Sequence, residues 1–369
     1  MNSCFNRITP VALVDSKILG RNIRDAASFA EHHGLSLRPH IKTHKCPNIA
    51  CLQRDAGAAG ITCATIDEAI EFAEAGFQDI FIAYPIVGGP KCDVLKKLCR
   101  LATVIVSIDN PGHLSILESI GLPEPLKVRI EIDSGHHRCG LPPGPSVVEL
   151  ARIVSKSAFL ALDGVFTHAG HVYASKTPAE IRSVSESEGR AVIDAARMIR
   201  EAGIRCPNVS VGSTPTWRIS ALMPGVTEAR PGNYVYNDAI QIGLGVARPE
   251  DCAFTVLTTV VAVYGDHFVV DAGSKALGLD KGAHGVELLR GYGIFLTADG
   301  TLVNEWIITR LSEEHGIVPL EPGTTHPRIG DRFRIIPNHS CASANMYSSI
   351  YMMADAETGA IQPLIGRHR

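Results

Sequence analysis

No stretch of the 369-residue chain approaches the roughly 18 consecutive apolar residues that a membrane-spanning helix needs, so no span is expected. The opening residues, MNSCFNRITPVALVD, lack a basic start followed by an apolar core, the pattern of a secretory signal. Excess positive charge is also missing: 35 Lys and Arg against 38 Asp and Glu leave a net charge of -3. That balance argues against a nucleic-acid partner, whose binding draws mainly on phosphate neutralisation. The ten cysteines are scattered and form no CxxC pair, which suits free, buried thiols in a reducing compartment. Low-complexity blocks, charged tails and internal repeats are absent. What is left is the expectation of a cytoplasmic globular protein of about two domains, able to bury a large core.

The first two-thirds of the chain alternates short β-branched runs with longer amphipathic segments. The predicted strands are 37–43, 61–65, 79–85, 103–109, 126–133, 162–168, 208–214 and 226–236. Helical spacing marks TIDEAIEFAEAG and TPAEIRSVSESEGRAVIDAARMIREAG between them. Eight strands with intervening helices is the count of an α/β (β/α)8 barrel, here over residues 16–240. An open doubly wound sheet competes, but no GxGxxG turn follows an early strand. Residues 241–369 are strand-like and turn-rich, which predicts a β-rich C-terminal domain. Residues 1–15, with the strand-like VALVD, are expected to pack with that domain.

Chemistry concentrates at a few places. Arg38, His40, Lys42 and His44 alternate in RPHIKTHK, so an extended strand would turn all four to one face. Near the C-terminal end of the first barrel strand that face is where barrel enzymes act. A lysine among cations loses its proton more easily, which suits Schiff-base formation with a carbonyl cofactor. An exposed basic edge is the bland alternative. Strand seven ends in Val211-Gly212-Ser213-Thr214-Pro215, and strand eight carries Pro231-Gly232-Asn233-Tyr234. Barrels often build a phosphate site from these two loops, and with an inward lysine they suggest pyridoxal 5'-phosphate. His339-Ser340-Cys341 can place imidazole and thiolate together as an open metal site, or is simply a buried cysteine beside a loop histidine. His168 ends strand six, with His171 and Tyr173 in the next loop. Arg138 follows strand five and either pairs with an anion or caps a loop. His315 reads as a turn residue, and Asp271 with Lys275 as a structural ion pair.

Taken in order, RPHIKTHK, IEIDSGHHRCG, THAGHVY, SVGSTPT, RPGNY, SEEHG and PNHSCASA make the chain resemble the fold-type III pyridoxal-phosphate enzymes of D-3-hydroxy amino acids. These are the D-threonine aldolases and eukaryotic-type D-serine dehydratases, and the likeness covers nearly the whole length. It implies an alanine racemase-like barrel in which Lys42 binds the cofactor aldehyde. Gly212, Ser213, Thr214, Gly232 and Asn233 would cradle the phosphate. Tyr234 would lie near the ring, Arg138 near the phenolic oxygen, and Tyr173 along the pocket. His339 and Cys341 would hold one divalent metal ion, zinc, manganese or magnesium, that engages the substrate hydroxyl. The resemblance also implies a homodimer with the active site between barrel and β-domain at the subunit interface.

Two reactions follow from the resemblance. An aldolase would use His168 to take the β-hydroxyl proton and would cleave D-threonine to glycine and acetaldehyde. A dehydratase would use Lys42 to take the α-proton and would convert D-serine or D-threo-3-hydroxyaspartate to a 2-oxo acid and ammonia. Cys341, GSTPT and IAYP resemble the dehydratase branch. HKCPNIA, part of FQDIFIAYPIVGGPK and DAGSKAL resemble the aldolases, and the aldolase is the preferred expectation. A metal-independent amino-acid racemase and a non-catalytic cofactor-binding protein are the remaining alternatives.

Overall fold

A computed structural model describes residues 5–323, 326–355 and 358–367. The chain divides into two units that do not follow chain order. One contains Asp25–Gly232 and the segment from Ile365; the other contains the chain up to Arg24 and Asn233–Leu364. Strand β1 (Val11–Asp15) belongs to the second.

The first unit is a parallel barrel. Its strands are β2 (Ser36–Leu37), β3 (Ile61–Cys63), β4 (Asp79–Pro85), β5 (Thr103–Ile108), β6 (Leu126–Ile132), β7 (Leu160–Thr167), β8 (Asn208–Val211) and β9 (Glu228–Ala229). They run in the order β2-β9-β8-β7-β6-β5-β4-β3, and a parallel bridge between His40 and Thr62 closes the ring. In β4 the consecutive residues Ile80, Phe81 and Ile82 are all fully buried, as a strand covered on both faces requires. Two of the helices start at a reciprocal cap that the sequence supplies. Thr65 accepts from Glu68 N while Glu68 accepts from Ala64 N, and Thr177 and Glu180 repeat the device before Pro178–Glu201. Gly76 and Gly203, both at positive φ, follow the two helix ends.

The barrel interior is layered. Glu228 receives Arg38 Nε at 2.9 Å, Ser210 Oγ at 2.7 Å and both terminal nitrogens of Arg129. Arg38 also grips Asp79 at 2.6 Å and Arg129 grips Asp163 at 2.7 Å. Phe81, Ile105 and Phe166 form an apolar cluster beside this network. The Arg129 guanidinium lies 4.9 Å from the Phe81 ring, and that of Arg230 lies 4.9 Å from the Phe166 ring. Burial alone would raise the Glu228 carboxyl, but Arg129 and Arg38 override it and hold it down at about 2.

The second unit is built on a sheet ordered β13-β12-β16-β10-β1-β17-β18, with β11 pairing β10, β15 pairing β11 and β14 pairing β15 off that path. Here β10 is Phe254–Val263, β11 His267–Val270, β12 Ile294–Leu296, β13 Leu302–Val303, β14 Arg310–Leu311 and β15 Gly316–Pro319. The last three are β16 (Arg332–Ile336), β17 (Ser349–Met353) and β18 (Gly359–Pro363). Strand β1 pairs antiparallel with β10 and parallel with β17, and Leu13 packs with Leu257, Tyr351 and Met353. Asp271 and Lys275 do not pair as expected. Asp271 accepts from Thr258 and Thr9, whereas Lys275 reaches Glu313 and Glu314, each at 2.9 Å. Among the described residues no helix is long and apolar enough to cross a membrane.

The buried network sets a stability prediction. Glu228→Ala removes the buried carboxylate shared by Arg38 and Arg129 and leaves them only Asp79 and Asp163; breaking a buried pair costs about 3–5 kcal/mol. The urea unfolding midpoint should fall accordingly; an unchanged midpoint would show that the carboxylate is dispensable. The depressed Glu228 carboxyl contributes its stability fully above the ordinary carboxylate range near 4.5. That contribution drains as pH falls from there toward about 2.

Candidate functional site

Within the barrel unit, the chain after Leu37 leaves the expected strand almost at once. Pro39 has no N–H for a ladder, His40 makes one bridge to Thr62, and Ile41–Thr43 closes into a 3-10 turn. Arg38, His40, Lys42 and His44 therefore do not share a strand face. Arg38 is committed to Glu228 and Asp79 in the interior network. His44 is fully buried, with Nε2 3.2 Å from Gln53 Oε1 and Nδ1 accepting from Cys46 N at 3.1 Å. Burial pushes its imidazole down to about 4, so it is a neutral structural residue.

His40 and Lys42 remain at the barrel mouth, joined by His168. The Nδ1 atom of His40 is buried without a hydrogen-bond partner. Burial, reinforced by the Lys42 and Arg230 charges, holds the His40 imidazole well below its ordinary range. His168, one residue beyond β7, is lowered in the same way by burial and then by Lys42 and Arg138. Its Nδ1 lies 3.0 Å from Gly212 O. A carbonyl oxygen can only accept, so Nδ1 carries the proton and Nε2 the lone pair. His136 stands edge-on to His168 at 5.7 Å between ring centroids and stacks on His171 at 6.5 Å.

The two loops expected to hold a phosphate meet these residues. Gly212 donates its N–H to buried Glu188 Oε1 at 3.1 Å, and an added Cβ would sit 2.9 Å from the Arg230 carbonyl carbon. Ser213 follows, its hydroxyl 2.9 Å from that of Thr216, and Thr214 is half-buried beside it. Gly232 lies against the lysine turn: a Cβ there would come within 3.0 Å of His40 O and 3.1 Å of Thr43 Oγ1. His40 N donates to Pro231 O at 3.0 Å, so the Pro231-Gly232 loop is seated on the turn that carries Lys42. Arg138 is exposed, 3.9 Å from Glu131, on a loop shaped by Asp133 Oδ1, which accepts from Gly135 N and His137 N. Tyr173 is half-buried in the 3-10 turn Gly170–Ala174. A lysine turn, glycine-lined loops with hydroxyls and an orphaned buried imidazole nitrogen fit a polar, phosphorylated carbonyl cofactor.

Within the β-rich unit, Asn233 and Tyr234 are buried in a short 3-10 turn. Asn233 Nδ2 lies 3.1 Å from Ser340 Oγ and 3.6 Å from Cys341 Sγ, while its Oδ1 is buried without a partner. His339 and Cys341 are brought together. Burial opposes protonation of His339, but Asp280 and the Cys341 sulfur outweigh it and push the imidazole up to about 10. Asp280 Oδ2 accepts from His339 Nδ1 at 2.7 Å. That bond directs Nε2 away from Asp280, the orientation found for metal-ligating histidines backed by a carboxylate. One imidazole and one thiolate fit zinc with open positions for water and substrate.

Sequence reasoning missed Asp280 and Asp238 entirely. Asp280 sits 59 residues before His339, with no local pattern to mark it. Asp238 was readable as a helix cap ahead of AIQIG, but not as a partner of Ser340.

Comparisons with known proteins identify the family and the fold. Residues 14–239 match the family model described as alanine racemase, N-terminal domain, and residues 253–353 match a putative serine dehydratase domain. The D-threo-3-hydroxyaspartate dehydratase of Delftia sp. (strain HT23) is 34% identical over 94% of each chain. Its solved structure superposes with a TM-score of 0.92 at 32% identity over 99% of both chains. A cysteine-to-alanine mutant of a D-threo-3-hydroxyaspartate dehydratase, solved in the metal-free form, gives a TM-score of 0.90 at 31% identity over 99% of both chains. The D-threonine aldolase of Arthrobacter sp. is 30% identical over 94% of this chain and 89% of its own. A D-threonine aldolase from Filomicrobium marinum superposes with a TM-score of 0.88 at 26% identity, covering 99% of this chain and 97% of that one.

The electrostatics of the mouth can be checked directly. With its imidazole held well below the ordinary value near 6.5, His168 should stay neutral at pH 6. Histidine ring NMR should show resonances assigned by His168→Gln that do not titrate between about pH 5.5 and 8. A midpoint inside that window would contradict the assignment.

Proposed function

The chain belongs to the alanine racemase-like, fold-type III family of pyridoxal-phosphate enzymes, and from that premise we propose a metal-assisted lyase that splits D-3-hydroxy-α-amino acids between Cα and Cβ. Bound pyridoxal 5'-phosphate supplies an electron sink for the pair left at Cα. Lys42 would bind its aldehyde carbon. Gly212, Ser213, Thr214, Gly232 and Asn233 would hold its phosphate, with Tyr234 near the ring, Arg138 toward the phenolic oxygen and Tyr173 along the pocket. His339 and Cys341 would hold the divalent ion, whose contribution is Lewis acidity toward a hydroxyl.

The observation that carries this reading is His168. It is neutral, its proton is placed on Nδ1 by Gly212 O, and the Lys42 charge acts on it. Nε2 is thus poised to accept the β-hydroxyl proton as the Cα–Cβ bond breaks. The aldehyde leaves, and a proton delivered to Cα completes glycine. The same imidazole cannot serve when protonated, so burial is what keeps the base available near neutral pH.

A second reading, ammonia-forming dehydration, is favoured by the thiol at position 341 and by the 34% likeness to the Delftia dehydratase. There Lys42 would take the α-proton and the metal would assist departure of the hydroxyl. Product analysis separates the two. Purified protein loaded with cofactor and zinc, given D-threonine, should form glycine and acetaldehyde in equal amounts, and a chelator should abolish turnover. Ammonia with 2-oxobutanoate would overturn the aldolase in favour of the dehydratase. Turnover unaffected by chelation would remove the metal from either scheme.

A further inference from the structure

The segment that carries His339 and Cys341 is held from one side by residues 233–240, and the centre of that grip is a fully buried carboxylate. Asp238 Oδ2 accepts from Ser340 N at 2.9 Å, Ser340 Oγ at 3.3 Å and Asn233 Nδ2 at 2.7 Å. Its other oxygen, Oδ1, accepts from Gln241 N at 3.0 Å and starts the helix Ala239–Gly243. The two residues after Asp238 continue the clamp through the backbone. Ala239 N donates to Pro337 O and Ile240 N to Asn338 O, each at 3.1 Å. Every residue from 337 to 340 is thereby tied to this short stretch or to Asp280.

We propose that Asp238 is a positioning residue that sets the His339–Cys341 pair in ligand geometry and aims the Asn233 amide at the Cys341 sulfur. The inference rests on the reading of these two residues as metal ligands. Ser340 N belongs to the peptide that joins His339 to Ser340, so a bond to that N–H fixes the orientation of the link between the two ligand residues. Asn233 Nδ2 has two hydrogens and three acceptors within reach: Asp238 Oδ2, Ser340 Oγ and Cys341 Sγ. Asp238 takes the shortest of these contacts and so decides how the amide is turned. A second hydrogen directed at a thiolate withdraws charge from it and tunes its bond to a metal, as outer partners of ligating side chains do. The amide's other end is also informative. Asn233 Oδ1 is buried with no partner of its own, so the side-chain hydrogen bonds of this amide all run through its NH2 end.

A purely architectural Asp238 would matter to folding and leave the metal's spectrum alone. The test therefore uses the full-length protein, Asp238→Asn and Asn233→Ala, with zinc affinity read by chelator competition and the thiolate-to-cobalt charge-transfer band read after Co2+ substitution. Wild type should bind zinc and show the band. Asp238→Asn, which keeps the shape but supplies a donor where an acceptor is needed, should bind zinc 10–100-fold more weakly with a shifted or weakened band. Asn233→Ala should move the band with a smaller loss of affinity. Asp238→Asn with native circular dichroism, wild-type zinc affinity and a wild-type band overturns the proposal. If that variant does not fold, the Asn233→Ala band decides alone: moved supports the proposal, unmoved overturns it. Wild-type protein that takes up neither metal overturns the ligand reading itself, which is a different outcome from either.

Discussion

A carboxylate buried inside the barrel between two guanidinium groups is the constraint from which the mouth of the barrel is built. Glu228 binds Arg38 and Arg129 while both arginines reach outward to Asp79 and Asp163. Removing charges from water is costly, and only excellent geometry with further hydrogen bonds recovers that cost. The five groups are therefore locked to one another, and with them the strands they stand on. Just past these anchors the chain leaves the short strands β2 and β9. Two residues beyond Arg38 is His40, two beyond Glu228 is Arg230, and the turn holding Lys42 begins at Ile41. The charge layer fixes the height and direction at which the chemistry-bearing side chains emerge.

Above that layer, close backbone approach replaces side-chain packing. Gly212 lies against Arg230 at a separation that a Cβ could not share without a backbone shift, and Gly232 lies against His40 and Thr43 where a Cβ would be tight. Around them the imidazoles of His40 and His168 are kept neutral by burial first and by the neighbouring cations second. A cationic, partly buried mouth with neutral bases is suited to an anionic cofactor and to proton transfer from a hydroxyl. The β-rich unit shows a parallel economy in its own terms. Two carboxylates, Asp280 and Asp238, fix His339 by its ring nitrogen and Ser340 by its peptide nitrogen.

Much of this was readable in the chain. The eight β-branched runs became the eight barrel strands, because a run buried on both faces has few other stable fates. The helices at Ile66–Glu74 and Pro178–Glu201 started at Thr65 and Thr177, where cap chemistry is local. What escaped was everything that depends on a partner far along the chain. The alternation in RPHIKTHK suggests one strand face, yet Arg38 answers to Glu228, 190 residues away. The strand stops because Pro39 cannot extend the ladder and the lysine segment curls over the barrel end. Strand eight, expected over 226–236, narrows to Glu228–Ala229, since Pro231 and Gly232 turn toward the lysine loop. His339 and Cys341 were visible as a pair, whereas Asp280 and Asp238 have no spacing that marks them.

The identity of the cofactor lysine is the claim on which the account turns, and borohydride trapping tests it most directly. Protein loaded with pyridoxal 5'-phosphate, reduced and digested, should carry the cofactor mass on the peptide containing Lys42, and Lys42→Ala should carry none. The same mass on Lys45, Lys275 or any other lysine, with Lys42 unmodified, would contradict the account.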